Sequence, residues 1–174
     1  MAKPVYFSIA NAVAFQAGWF ICLLAPVAWA LLYTALFTVV HFRILKPEAR
    51  CADALAVAVA MALGFIHDTA LLQTGVLSDS ASAQPIWLTC LWLMLGLTLR
   101  HSLWPIYSRP WLASLVGAVA AGLSYTAGIA LSDVSWGEFG PRGAFVIAVI
   151  WLLVLPAHKA ITDSFNVMRY AKGR

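Results

Sequence analysis

Six long apolar runs, each about the length needed to cross a lipid bilayer, are the feature that most constrains the fold of this chain. Proline and charged residues separate the runs, and both interrupt helices. A helix crosses the hydrocarbon core in about 20 residues, and the predicted spans are approximately 5–25, 26–44, 51–72, 86–102, 111–131 and 143–161. Pro156 lies inside the sixth run, where we expect it to kink the helix. The sequence therefore predicts an all-α polytopic membrane protein, with six transmembrane helices in one bundle that forms a single domain over residues 1–174.

The amino-acid composition excludes the main alternatives to a membrane protein. Hydrophobic residues make up 63% of the chain and charged residues 10%, whereas soluble domains average about 45–50% and about 25%. A soluble domain of this size could not hide so much apolar surface, because it still exposes about a third of its chain. Three cysteines are too few for a secreted disulfide scaffold. Cys22 and Cys90 both fall in the predicted outer half of the membrane, which leaves a disulfide open, although free buried thiols are favoured.

The basic residues predict how the chain is threaded. With the amino terminus inside, ten of the eleven Lys and Arg residues are cytoplasmic and only Arg142 is outside, as the positive-inside rule requires. The ten are Lys3, Arg43, Lys46, Arg50, Arg100, Arg109, Lys159, Arg169, Lys172 and Arg174. Both termini are therefore predicted to be cytoplasmic. Anionic lipid headgroups explain the net charge of +4, so membrane lipids and a protein partner in the membrane are expected, and nucleic acid is not.

A stripe of small residues in the third run predicts tight helix packing. Alanine or glycine recurs every fourth residue at Ala52, Ala56, Ala60 and Gly64, and such stripes let membrane helices approach closely. The same stripe reaches Asp68 one turn later. We therefore expect Asp68 to face other helices rather than lipid.

Asp68 marks the first candidate site, because ionisable residues within membrane spans are costly and tend to be functional. The predicted heights of Gln16, His67, Asp68 and Tyr125 place them in one outward-facing polar pocket. The alternative is that Asp68 only ends a helix at the water interface or bonds to a neighbouring side chain. Trp19, Trp92 and Trp151 lie deep in their spans, where they either line a cavity or, as we favour, fill the core.

Three histidines at the cytoplasmic level form a second candidate site. His41, His101 and His158 come from three different spans at similar depth, and histidine is a common metal ligand. The alternative is that they are separate interfacial histidines, since they have no short-range ligand spacing. We find no serine hydrolase, zinc protease, phosphate-loop or dinucleotide motif in the sequence.

Several short motifs resemble a bacterial inner-membrane family catalogued as domain of unknown function 2878. They lie at residues 15–20, 64–68, 75–77, 85–88, 91–92, 98–99, 101–103, 124–125 and 128, and so extend over nearly the whole chain. The resemblance implies a location in the bacterial inner membrane and a loose connection with membrane-lipid modification. It gives weight to motif positions Gln16, Trp19, Asp68, Trp87, Trp92, Thr98, His101 and Tyr125.

Three classes of function are compatible with these patterns. The first is a protein that binds or carries a lipid or an amphipathic small molecule, in a cavity lined by Trp19, Trp92, Asp68 and Tyr125. The second is a transporter or a substrate-binding membrane subunit, which would need a partner because the chain has no nucleotide motif. The third is a metal- or haem-dependent membrane enzyme that uses the three histidines.

Overall fold

The computed structural model describes residues 5–79 and 84–172, with side chains as far as residue 166. Within these residues the chain forms seven helices: α1 (Val5–Leu24), α2 (Val27–Ile44), α3 (Pro47–Gln73), α4 (Ile86–Leu99), α5 (Trp104–Tyr107), α6 (Pro110–Leu131) and α7 (Gly143–Lys172). A 3-10 turn at Gly140–Arg142 precedes α7. Of the predicted cytoplasmic charges, Lys3 and Arg174, with the side chains of Arg169 and Lys172, lie outside the described residues.

Five of the described helices are long and apolar enough to cross a membrane: α1, α2, α3, α6, and α7 with its preceding turn. The helical bundle is therefore confirmed. The fourth predicted span is shorter than 86–102, because α4 has 14 residues and ends at Leu99. At about 1.5 Å per residue this length is only about 21 Å. The third and sixth helices are longer than predicted: α3 begins at Pro47, since proline suits the first turn of a helix, and α7 continues to Lys172.

The end of α4 at Leu99 coincides with a side-chain contact to α3. The next two residues, Arg100 and His101, both bond to Asp53 of α3. Consecutive residues of a helix point about 100° apart around its axis. Ending the helix at Leu99 lets both side chains turn towards the same carboxylate.

The packing around α4 and α3 determines the shape of the bundle. α4 is enclosed by α1, α2 and α3, while α3 also packs against α7, and α7 packs along α6. A Cβ atom on Gly96 of α4 would lie 2.7 Å from the Val57 Cα atom of α3, so these helices are in backbone contact. The Cys22 and Cys90 side chains of α1 and α4 are buried free thiols in contact with each other.

Two connections that the sequence predicts as loops pair with each other. β1 (Leu77–Ser78) and β2 (Ser135–Trp136) form a short antiparallel ladder in which Leu77 is opposite Trp136. Gly75 allows the chain to turn into β1, since its φ of 74° lies in the left-handed region that favours glycine. The α3–α4 and α6–α7 connections therefore lie at the same end of the bundle, and this short ladder is an addition to an otherwise helical fold.

Candidate functional site

Asp68, the residue that follows the small-residue stripe on α3, is the centre of a buried polar cluster. The residue is 0% exposed. Its Oδ2 atom accepts hydrogen bonds from Gln84 Nε2 at 2.7 Å and from Trp92 Nε1 at 2.7 Å. Its Oδ1 atom accepts a hydrogen bond from the Tyr125 hydroxyl and lies 2.7 Å from His67 Nδ1. We call these five residues the Asp68 cluster.

The partners of Asp68 explain how a carboxylate is accommodated inside an apolar bundle. A buried carboxylate is costly unless it is paired and hydrogen-bonded, and each oxygen of Asp68 has two polar partners. These partners come from α3, α4, α6 and the segment before α4. Asp68 therefore faces other helices, as the stripe predicts, and it ties four parts of the chain together.

His67 has one ring nitrogen engaged and the other without a partner in the part of the chain that the structure describes. Its Nε2 atom is buried and makes no hydrogen bond to the described residues. The imidazole lies among aromatic rings, with centroid distances of 5.8 Å to Trp92, 5.8 Å to Tyr125 and 6.0 Å to Trp151. An imidazole held by a carboxylate through one nitrogen keeps the other nitrogen available to donate or accept a proton.

A cavity of about 530 Å³ lies between α1, α4, α6 and α7. Most of its lining is apolar, and its polar lining residues are Gln16, Tyr107, Ser124, Tyr125 and Ser132. The α6 side of the opening is formed by Val116, Ala120 and Leu123, which are exposed on the surface of the bundle. The cavity therefore opens on the apolar outer surface of the bundle.

The structure brings most of the predicted ligand-binding residues to this cavity. Those that line it are Gln16, Trp19, Trp87, Trp92 and Tyr125. His67 and Asp68 lie behind the wall, where they bond to or pack against Trp92 and Tyr125. The prediction that Gln16 and Asp68 share one pocket needs correction, because the side-chain amide that bonds to Asp68 belongs to Gln84. Thr98 lies apart, buried with its hydroxyl donating to the Leu95 carbonyl at 2.6 Å.

The three deep tryptophans line the cavity rather than only filling the core. Trp92 and Trp151 stack with ring centroids 5.1 Å apart and form its inner wall. Trp19 of α1 donates a hydrogen bond from Nε1 to the Ser124 hydroxyl of α6 at 3.0 Å. The expectation that the deep tryptophans fill the core is therefore wrong for Trp19. It is incomplete for Trp92 and Trp151, because both are buried and also form part of the cavity wall.

A second buried carboxylate, Asp53, lies near the other end of α3. Its Oδ2 atom lies 3.0 Å from His41 Nε2 and is hydrogen-bonded to His101 Nε2. Its Oδ1 atom accepts a hydrogen bond from Arg100 Nε at 2.9 Å. His41, Asp53 and His101 each offer a ligand atom, and these three atoms lie within 4.8 Å of one another. We call the four residues the Asp53 cluster.

His158 does not join the other two histidines, which corrects the predicted three-histidine site. Its Nδ1 atom accepts a hydrogen bond from the Tyr107 hydroxyl at 2.7 Å, and its Nε2 atom donates to the Ala56 carbonyl at 2.9 Å. Burial raises the pKa of Tyr107, so its hydroxyl stays protonated and can donate. Both nitrogens of His158 are therefore satisfied within the bundle and neither is left for a metal.

Sequence reasoning missed Asp53, Gln84 and Arg100 as members of these clusters. Asp53 could have been found, because it lies three residues before Ala56 on the buried stripe of α3. Arg100 precedes His101, and its position at the end of a predicted span indicates only the threading of the chain. Gln84 lies in a segment without helical periodicity, so no pattern in the sequence predicts its contact with Asp68.

Apolar helices of membrane-spanning length, buried carboxylate clusters and a cavity open on an apolar surface define a helical membrane protein. Residues 8–157 match the family model described as protein of unknown function (DUF2878), and the chain belongs to this family. Comparisons with curated proteins and with solved structures gave no match.

Proposed function

We propose that this protein binds one lipid or amphipathic small molecule in the cavity between α1 and α6. The observation that carries the proposal is the cavity itself, an apolar cleft of about 530 Å³ that opens on the apolar outer surface of the bundle. Its size lies within the range of about 300–1,000 Å³ that is usual for ligand sites.

The length of the cleft favours a ligand with an extended apolar chain. Val116 and Ile129 of α6 both line it, and they lie about 20 Å apart along the helix at ~1.5 Å per residue. The lining also extends from Leu77 in β1 to Ile106 in α5. A single acyl or isoprenoid chain fits an apolar cleft of this form better than a compact polar metabolite does.

The polar groups on the wall are few, which suits an amphipathic ligand. Gln16 is exposed at the cleft, and the Ser124 hydroxyl already bonds to Trp19. Tyr125 connects the cleft to Asp68 behind the wall. A headgroup that accepts or donates one or two hydrogen bonds would therefore find partners at Gln16 and Tyr125, while its chain contacts tryptophan and leucine side chains.

The Gly128→Leu variant is expected to bind lipid at least tenfold more weakly than the unmodified protein. Among the described residues a Cβ atom at Gly128 would meet only Leu23 Cδ2, at 3.8 Å, and both residues line the cleft. The added side chain would occupy ligand space, and excluding two methylene groups costs about 1.6 kcal/mol, which is about tenfold in affinity. The measurement is native mass spectrometry of protein extracted in mild detergent, which counts chains that retain one lipid.

Ala130→Leu is the matched control for the lipid experiment. Ala130 belongs to the same helix, is exposed and does not line the cleft, so this variant should retain lipid as the unmodified protein does. Equal retention by both variants, or no retained lipid on the unmodified protein even after phospholipid is added back, would contradict the proposal.

We also propose that the chain crosses the bacterial inner membrane six times, with both termini in the cytoplasm. The ten-to-one distribution of basic residues supports this threading. The course of α4 supports the sixth crossing despite its length. Gln84, just before α4, bonds to Asp68, and His101, just after it, bonds to Asp53. These two carboxylates are about 22 Å apart along α3 at ~1.5 Å per residue.

Single cysteines at exposed connection residues test this threading, in a background that lacks the exposed Cys51. Ser78→Cys and Glu138→Cys should react with a membrane-impermeant maleimide in intact cells. Lys46→Cys and Arg109→Cys should react only after the membrane is opened. All four positions are exposed in the folded chain. Labelling of Ser78→Cys and Lys46→Cys from the same side would refute the topology.

A further inference from the structure

Three side chains of the Asp53 cluster are arranged as the protein ligands of one metal ion would be. His41 comes from α2, Asp53 from α3 and His101 from the turn after α4. The two imidazoles approach the same carboxylate oxygen, Oδ2, each through its Nε2 atom. Three parts of the chain that are remote in sequence thus bring three ligand atoms to one point.

The burial of the Asp53 cluster is the second observation. The side chains of His41, Asp53 and His101 are 1%, 3% and 0% exposed. The Phe7 ring lies 5.2 Å from the His101 ring and the Phe37 ring lies 6.3 Å from the His41 ring, measured between centroids. An apolar shell of this kind limits access of water and lowers the local dielectric constant at a metal site.

Arg100 positions the carboxylate as outer partners of metal ligands do. Its Nε atom donates to Asp53 Oδ1 at 2.9 Å, so Oδ1 is engaged and Oδ2 is left facing the two histidines. Hydrogen bonds of this kind fix the orientation of a ligating carboxylate. The Arg100 side chain is 32% exposed, so its charge is partly screened by solvent and opposes a bound cation less than a buried charge would.

We propose that His41, Asp53 and His101 bind one divalent first-row transition-metal ion, with Arg100 as a positioning residue. Two imidazole nitrogens and one carboxylate oxygen suit zinc or iron(II). Calcium and magnesium prefer sites made entirely of oxygen atoms. Three protein ligands leave at least one coordination position for water or another small ligand, which is the pattern of reactive rather than purely structural metal sites. This inference is independent of the lipid cavity.

Metal analysis of purified full-length variants tests the site. The unmodified protein, purified without chelator from cells supplied with zinc and iron, should carry about one transition-metal ion per chain. The His41→Gln and Asp53→Asn variants should carry less than a tenth of that amount. Arg100→Gln should bind the ion roughly 10–100-fold more weakly, as loss of an outer partner usually does. His158→Gln is the matched control, since His158 is buried in the same bundle but bonds to Tyr107 and Ala56, and it should keep its metal.

A titration of the unmodified protein keeps the test decisive if the variants fail to fold. After removal of metal with a chelator, cobalt(II) should produce visible ligand-field absorption that saturates at one ion per chain and disappears when zinc is added. No cobalt absorption and no retained metal on the folded, unmodified protein would overturn the proposal and identify the cluster as a hydrogen-bonded network. Loss of metal from His158→Gln equal to that from His41→Gln would also overturn it.

Discussion

Replacement of Asp68 by leucine is expected to lower the free energy of unfolding by on the order of 3–6 kcal/mol. The leucine side chain would leave Gln84, Trp92 and Tyr125 without the acceptor that they share. Each buried donor that loses its partner costs about 1–3 kcal/mol. The measurement is thermal or denaturant unfolding of the purified protein in one detergent.

The asparagine variant separates hydrogen bonding from charge at the same position. Asp68→Asn keeps one acceptor oxygen but turns an NH₂ group towards donors, so we expect a smaller loss of about 1–3 kcal/mol. Asp133, which is exposed near the end of α6, provides the matched control, and Asp133→Leu should change stability by less than about 0.5 kcal/mol. A leucine variant at position 68 as stable as the unmodified protein would show that the four partners do not depend on the carboxylate.

The positions of the helices could be predicted from the sequence because they depend on local features. Apolar run length and interruption by proline or charge act within one segment, so α1, α2 and α6 lie close to their predicted bounds. The end of α4 could not be predicted in this way. It coincides with a contact to Asp53, which lies 47 residues before Arg100 and is bonded to two consecutive side chains, Arg100 and His101.

The sequence predicts how far along its helix each candidate site residue lies, but it does not predict which neighbouring helix the side chain faces. Periodicity places Asp68 on the buried face of α3, and that was correct. The height of His158 was also nearly correct, since it bonds to the Ala56 carbonyl one turn from Asp53. The prediction that His158 joins His41 and His101 was wrong, because α3 packs against α4 on one side and against α7, which carries His158, on another. Which neighbour a side chain faces depends on how the helices pack, and the spacing of residues within one helix gives no information about that packing.

Gly64→Ala is expected to destabilise the protein by about 3 kcal/mol, although it adds a single methyl group. A Cβ atom at Gly64 would lie 2.2 Å from Cγ and Cδ2 of Trp92, so the indole or the helix would have to move. Trp92 has little freedom, because its ring stacks on Trp151 and its N–H donates to Asp68. Overpacking in a closely packed interior typically costs about 1–3 kcal/mol and occasionally more. Displacement of Trp92 should also weaken lipid retention, since Trp92 lines the cleft.

A double-mutant cycle with Trp92→Leu tests whether Trp92 is the cause of this loss. If the added methyl group acts through the indole, Gly64→Ala should cost much less in the Trp92→Leu background, and the coupling energy should exceed about 1 kcal/mol. Gly122→Ala is the control for a glycine within a membrane helix. Its Cβ atom would lie 3.4 Å from the Ala144 carbonyl oxygen and 3.5 Å from Ala148 Cβ, which are ordinary contacts, so its stability should be unchanged or slightly higher. Additive effects of Gly64→Ala and Trp92→Leu would instead mean that α3 tolerates the methyl group by moving as a whole, and that Trp92 is not fixed by its two partners.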